Sequence, residues 1–193
     1  EVVNPYSRTF GLGLMMGTNT VVESIECLAD GKRQSRSYEG ILLYGVALEY
    51  CLTDHIQFEG SYVYSVNNKI VEEKIWTTPN THQFITLSAR FVANPRKPIC
   101  FFASGGSSII LNRIFDTHTT QNSFNFGLGL YGNINSSFGI LVPIAELKFD
   151  FPFSSNQYPD IKCGIDADGN GLPATIGRFY SLVRLGVQWY PKF

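Results

Sequence analysis

The chain is short of charge. Lys, Arg, Asp and Glu make up 16% of its 193 residues, against about 25% in ordinary soluble domains. Its 15 basic residues nearly balance its 16 acidic ones, for a net charge of −1. Without a clustered basic excess there is no footing for a nucleic-acid partner. Cysteine is scarce as well. Cys27, Cys51, Cys100 and Cys163 are scattered and none stands in a CxxC pair, which argues against a disulfide scaffold, a zinc ribbon or a thioredoxin-type site. No run of about 18 apolar, uncharged residues occurs, so no transmembrane helix is expected. The start lacks the Lys/Arg-led apolar stretch of a secretory signal, as expected if Glu1 is a mature terminus.

What the chain has in quantity is aromatic residues, 14% of the total, together with 18 glycines. Its mean hydropathy is nevertheless 0.00. An aromatic-rich, charge-poor chain reaches that average by sorting its residues. The sorting has period two almost everywhere and helical period almost nowhere. From His55 to Val66, Ile56, Phe58, Gly60, Tyr62, Tyr64 and Val66 alternate with His55, Gln57, Glu59, Ser61, Val63 and Ser65. The pattern marks eight segments, near 8–20, 38–51, 55–66, 81–93, 99–112, 121–132, 138–151 and 177–190. Each has the length of a tilted strand crossing a bilayer, about 9–11 residues or slightly more.

Connection lengths alternate too. Leu52–Asp54, Asn94–Pro98 and Asn133–Ser137 are tight turns, whereas 21–37, 67–80, 113–120 and 152–176 are long polar links. Short turns therefore share one rim and long loops the other, giving one up-and-down meander over 1–193.

A soluble carrier barrel and a membrane barrel share such strands, so the two faces decide. One face carries Phe10, Leu12, Leu14 and Met16, then Leu42, Tyr44, Val46, Leu48 and Tyr50, and continues through Leu87, Phe126, Leu128, Leu147, Leu185 and Trp189 without a charge. The other carries Glu49, Glu59, Arg90, Glu146, Lys148, Asp150 and Arg184, interleaved with Gly11, Gly13, Gly45, Gly127, Gly129 and Gly186. Small residues beside long charged ones suit a narrow lumen, and aromatics cluster at the ends of the apolar face as interfacial girdles do. The fold expected is all-β: an eight-stranded antiparallel transmembrane barrel, apolar outside and polar inside. A soluble barrel with an apolar cavity is the alternative.

The last strand, Arg184-Leu-Gly186-Val187-Gln-Trp189-Tyr-Pro191-Lys-Phe193, resembles the closing strand of small eight-stranded outer-membrane barrels of the OmpA transmembrane domain and Ail/opacity type. Phe193, Trp189, Val187 and Leu185 match the ending such barrels present to the outer-membrane assembly machinery, so that Gly186, Trp189 and Phe193 are expected in the assembly signal; Pro191 departs where an aromatic is usual. The resemblance implies a bacterial outer-membrane location, periplasmic termini and short turns, and four longer extracellular loops. It constrains function only loosely, because one fold hosts many activities.

Inside so narrow a barrel there is room only for side chains. Glu49, Glu59 and Glu146 are therefore expected to pair with Arg90, Lys148 and Arg184 in an occluding network, since a lone buried charge is costly. In the longest loop, Asp166, Asp168 and Asn170 follow the first half of a calcium loop. Gly177 stands where the bidentate Glu belongs, so a polar turn is the reading preferred over Ca2+, and no other cofactor is expected. Cys27 and Cys163 fall in the first and last long loops and are candidates for a disulfide. Cys51 and Cys100 face inward on strands too far apart to join, and read as buried thiols. His82 and His118 lie towards the long-loop rim without a His-x-Ser pair or paired carboxylates.

The expected function is thus a non-enzymatic surface or structural role. Its expected partners are the lipid bilayer, surface glycolipid, and a host or membrane-protein partner met by the loops. The alternative is a lipid A-modifying hydrolase or acyltransferase, or a carrier of small hydrophobic compounds.

Overall fold

Long alternation of apolar with small or polar residues favours a two-faced sheet, and in the computed structural model one antiparallel sheet closes on itself. The structure describes residues 8–27, 33–39, 42–67, 80–95, 97–114, 117–165 and 171–191, with side chains for 8–22, 42–66, 81–95, 97–113, 117–155, 175 and 177–191. The strands among them are β1 (Thr9–Cys27), β2 (Arg33–Glu39), β3 (Leu42–Cys51), β4 (Ile56–Asn67), β5 (Asn80–Val92), β6 (Ile99–Ile114), β7 (Thr117–Gly132), β8 (Ile134–Ser136), β9 (Gly139–Pro152), β10 (Asn156–Ile165) and β11 (Gly171–Pro191).

Eight strands make the wall in the order β1-β3-β4-β5-β6-β7-β9-β11. The barrel closes because β11 pairs on one side with β9, from Trp189↔Leu141 to Tyr180↔Asp150, and on the other with β1, from Leu12↔Trp189 to Cys27↔Ala174. Closure pairs each of these eight strands on both sides over the lipid-facing band, the condition for strands in a hydrocarbon environment. The three shorter strands prolong this wall: β2 pairs with β1 beyond β3, β10 with β11 beyond β9, and β8 with β9 below β7. The β7–β9 ladder stops at Tyr131↔Ile144 and resumes as Ile134↔Leu141. Pro143 lies in the gap, where it has no N–H to donate.

The short turns are held by side-chain caps. Thr53 Oγ1 accepts from the backbone N–H of His55 (3.2 Å) and Ile56 (3.0 Å). Asn94 Oδ1 accepts from Phe101 N at 2.8 Å, and its Nδ2 donates to Ile99 O at 3.2 Å. At the third turn Gly139 has φ of 151°, and a Cβ there would strike Tyr190 O and the Trp189 indole.

Two sequence expectations are corrected. The segment 133–137 is not a simple tight turn, since Ile134–Ser136 forms β8 and the reversal lies at 137–138. Three of the four long links are not loops over most of their length. β1 runs to Cys27 against β2, β6 and β7 pair as far as Ile114↔Thr117, and β10 pairs with β11. A membrane strand needs about 9–11 residues, whereas β1 has 19 and β11 has 21. Antiparallel hydrogen bonding continues past the apolar band into paired ribbons.

The wall faces as expected. Leu12, Leu14, Met16, Leu87, Phe91 and Leu185 point outward and are exposed, while Glu49, Glu59, Arg90, Glu146, Lys148, Asp150 and Arg184 point inward and are buried. Aromatic pairs ring the outside near both ends of the band: Phe10–Tyr50 at 4.8 Å on the short-turn side, Tyr44–Tyr64 at 5.3 Å and Phe151–Phe179 at 5.1 Å on the ribbon side. This is a transmembrane barrel. Among the described residues no helix is long and apolar enough to cross a membrane; strands do the crossing.

Candidate functional site

Charged groups from five strands meet across the lumen because register brings them to one level. Arg90 Nη1 donates to Glu49 Oε2 at 2.5 Å and Arg90 Nη2 to Glu59 Oε2 at 2.7 Å. Arg184 Nη2 donates to Glu59 Oε1 at 3.1 Å and also to Glu146. The order Glu49–Arg90–Glu59–Arg184–Glu146 alternates in sign, so each guanidinium is shared by two carboxylates and Glu59 by two guanidiniums. Tyr190 donates its hydroxyl to Glu49 at 2.5 Å, Ser104 its own to Glu146 at 2.8 Å, and the Arg90 guanidinium stacks 4.3 Å from the centre of the Phe102 ring. Charges removed from water need such pairing; the Nε atoms of Arg90 and Arg184 have no hydrogen-bond partner.

Lys148 joins differently from the sequence expectation. Its Nζ donates to Ser88 Oγ at 2.8 Å, and Ser88 passes the chain to Asn125 (3.1 Å) and on to Ser108 (3.0 Å). Asp150, on the same strand, accepts from Ser123 at 3.0 Å.

Two apolar layers enclose this belt, and sequence reasoning missed both. On the short-turn side Cys51, Val92, Cys100, Phe102, Tyr131, Ile140, Val142 and Tyr190 pack together. On the ribbon side Val21, Leu43, Val63, Phe84, Ile110, Tyr180 and Leu182 do the same. The signal was present as apolar runs that break the alternation: Leu42-Leu43, Tyr62-Val63-Tyr64, Phe101-Phe102, Ile109-Ile110 and Ile140-Leu141-Val142. In each, one side chain meets lipid and its neighbour plugs the lumen. The room left beside Glu59, Glu146 and Arg184 is a void of about 10 Å³, enough for one water.

The inward glycines make this packing feasible. A Cβ on Gly127 would collide with Glu146 and Ser104, and one on Gly129 with the Phe102 ring. Gly127→Val is expected to cost about 1–3 kcal/mol by overpacking, read as a lower urea midpoint for the barrel in detergent. An unchanged midpoint would mean the belt is looser than described.

Other candidate residues are placed as follows. Gly186 faces inward between Met15 and Ile144, and Trp189 faces lipid between Leu12 and Leu141. Cys51 and Cys100 are free and buried. His55 and His118 are exposed, and His82 is fully buried. Strand β11 lies between β1, which carries Cys27, and β10, which carries Cys163; the side chains of both cysteines lie outside the described residues, as do Asp166, Asp168, Asn170 and Phe193. Among the described residues no three His, Cys, Asp or Glu side chains gather as metal ligands.

Neither a family description nor a curated protein sequence matches the chain. Solved structures do. Neisserial surface protein A (NspA) is 13% identical over 93% of this chain and 97% of its own, with a TM-score of 0.56. The fold is that of the small outer-membrane barrels. The outer membrane protein OprG of Pseudomonas aeruginosa agrees at 9% identity, over 96% of this chain and 98% of its own, with a TM-score of 0.52. The chain shares the barrel fold of these two structures.

Proposed function

We propose that this outer-membrane barrel is a non-enzymatic surface protein whose partner is met at the ribbon rim, with the barrel as a sealed anchor. The observation that carries the reading is the contrast between the two parts. The lumen is filled by a paired ionic belt between two apolar layers, while β1–β2, β6–β7 and β10–β11 run on as paired strands past the lipid-facing band. A filled lumen supports neither a pore nor an apolar carrier cavity. Paired ribbons give a stiff surface for binding, outward in the topology that the fold implies. The partner class favoured is a surface glycolipid, a host surface or a neighbouring membrane protein, and the last strand, with Gly186, Trp189 and Phe193, is read as the assembly signal.

Native mass spectrometry of the protein extracted gently from its own membrane tests this. The expected spectrum shows a glycolipid or protein subunit bound in fixed stoichiometry. A bare chain, with altered lipid acyl composition in cells overexpressing it, would overturn the reading in favour of a lipid-modifying enzyme.

A further inference from the structure

The lipid-facing side of the wall is not evenly covered. A groove of about 800 Å³ crosses five of its strands. Its short-turn edge follows one register row, Trp189–Leu12–Leu48–Gly60 on β11, β1, β3 and β4. Its ribbon-side edge follows the next outward row, Val187–Leu14–Val46–Tyr62–Ile85, which reaches β5. Ser61 and Thr86 also line it, yet their hydroxyls are engaged with Glu59 at 3.2 Å and Ser108 at 3.0 Å in the lumen. Among the described residues, none that lines the groove is charged. Gly60 makes the dent. It stands between Leu48 and Leu87 in its row, and a Cβ there would meet nothing within 4 Å. Glycine inside a strand weakens it and often marks the close approach of a ligand.

The groove climbs from one membrane interface towards the middle of the bilayer. Trp189 lies two residues from the end of β11 on the short-turn side, where an indole suits the interface. On β1, Leu12 is one outward-facing step from Phe10 of the Phe10–Tyr50 girdle pair. On β5, Ile85 is three such steps from Phe91 at the short-turn end. The rows run across the strands, and five strands at about 4.8 Å spacing give a path of about 19 Å. With strands tilted by about 35–45°, that path rises about 11–14 Å along the membrane normal. One leaflet of a hydrocarbon core about 30 Å thick has nearly that depth. An acyl chain hung from the headgroup level follows such a path.

We propose that this groove is a fixed site for one acyl chain of a membrane phospholipid, with its ester end beside Trp189 and its methyl end near Gly60 and Ile85. The phospholipid comes from the leaflet on the short-turn side, because the groove opens at that interface. Its site is continuous with the lipid-facing band. It is separate from the ribbon surfaces and does not rest on the reading given to them.

The test uses the full chain in detergent micelles, titrated with palmitoyl-oleoyl-phosphatidylethanolamine and followed by native mass spectrometry. Gly60→Leu fills the groove without a clash, and Gly105→Leu puts the same side chain on an outward glycine of β6 outside it. The expected spectra show one phospholipid adduct that saturates and outlasts all others on collisional activation. It should bind about tenfold more weakly in Gly60→Leu and as tightly as in the parent in Gly105→Leu. Three results would overturn the proposal: a statistical ladder of adducts with none preferred, which would leave only bulk lipid; Gly60→Leu binding as tightly as the parent, or both variants losing the adduct alike; or a parent dimer that Gly60→Leu dissociates, which would give the groove to a second copy.

Discussion

Arg90→Met is expected to destabilise the barrel by about 3–5 kcal/mol, the usual loss when one member of a buried charge set is removed. Arg90 holds Glu49 at 2.5 Å and Glu59 at 2.7 Å in a lumen where all three are nearly inaccessible. Methionine fills much of the same volume but leaves Glu49 with only the Tyr190 hydroxyl and the Cys51 thiol, and Glu59 with Arg184 and the Ser61 hydroxyl. The loss belongs to the orphaned carboxylates rather than to the missing contact. Glu49→Gln combined with Arg90→Met should therefore be more stable than Arg90→Met by itself, an inversion that simple loss of packing would not produce. Urea unfolding in detergent or lipid measures both. A change below about 0.5 kcal/mol, the range of ordinary surface substitutions, would mean that water reaches the belt.

Leu14→Arg should cost about 2–4 kcal/mol, the cost of a basic side chain at the middle of the lipid face of a membrane barrel. Leu14 is 71% exposed. On a water-soluble protein a substitution at so open a position would change stability by about 0.5 kcal/mol or less, so the size of the effect reports the surrounding solvent. Thr18→Arg, on the same outward face but beyond the Tyr44–Tyr64 girdle pair, is the internal control and should cost about 0–1 kcal/mol. Equal small effects at both positions would point to a soluble barrel.

The two faces were legible in the sequence wherever a strand alternates cleanly. Leu12-Gly13-Leu14 and Leu147-Lys148-Phe149 show which side each residue takes without any structure. The charged set was legible for the same reason, because period two puts Glu49, Glu59, Arg90, Glu146, Lys148 and Arg184 on one side. Which members meet was not. Pairing depends on register around a closed wall, and closure sets Arg184 of β11 opposite Glu146 of β9 and within reach of Glu59, but hands Lys148 to Ser88. The apolar layers at both ends of the lumen were hidden in runs such as Phe101-Phe102, which alternation alone reads as irregularity. The ribbons were read as loops because their sequences are polar and lack the apolar alternation of the wall strands, although their backbones pair. His82 looked like a rim histidine by position. Its hydrogen bond to Asn112, which Gln121 and the carbonyl of Ser154 hold in turn, depends on cross-strand register and on a carbonyl 33 residues away from Gln121.

Among the described residues, an ionic belt held between two apolar layers seals the lumen. Conductance of the purified full chain in a planar bilayer tests it most directly. Insertion with no steady current at either polarity is the expected result. A steady, ohmic, porin-like conductance from the folded barrel would contradict it.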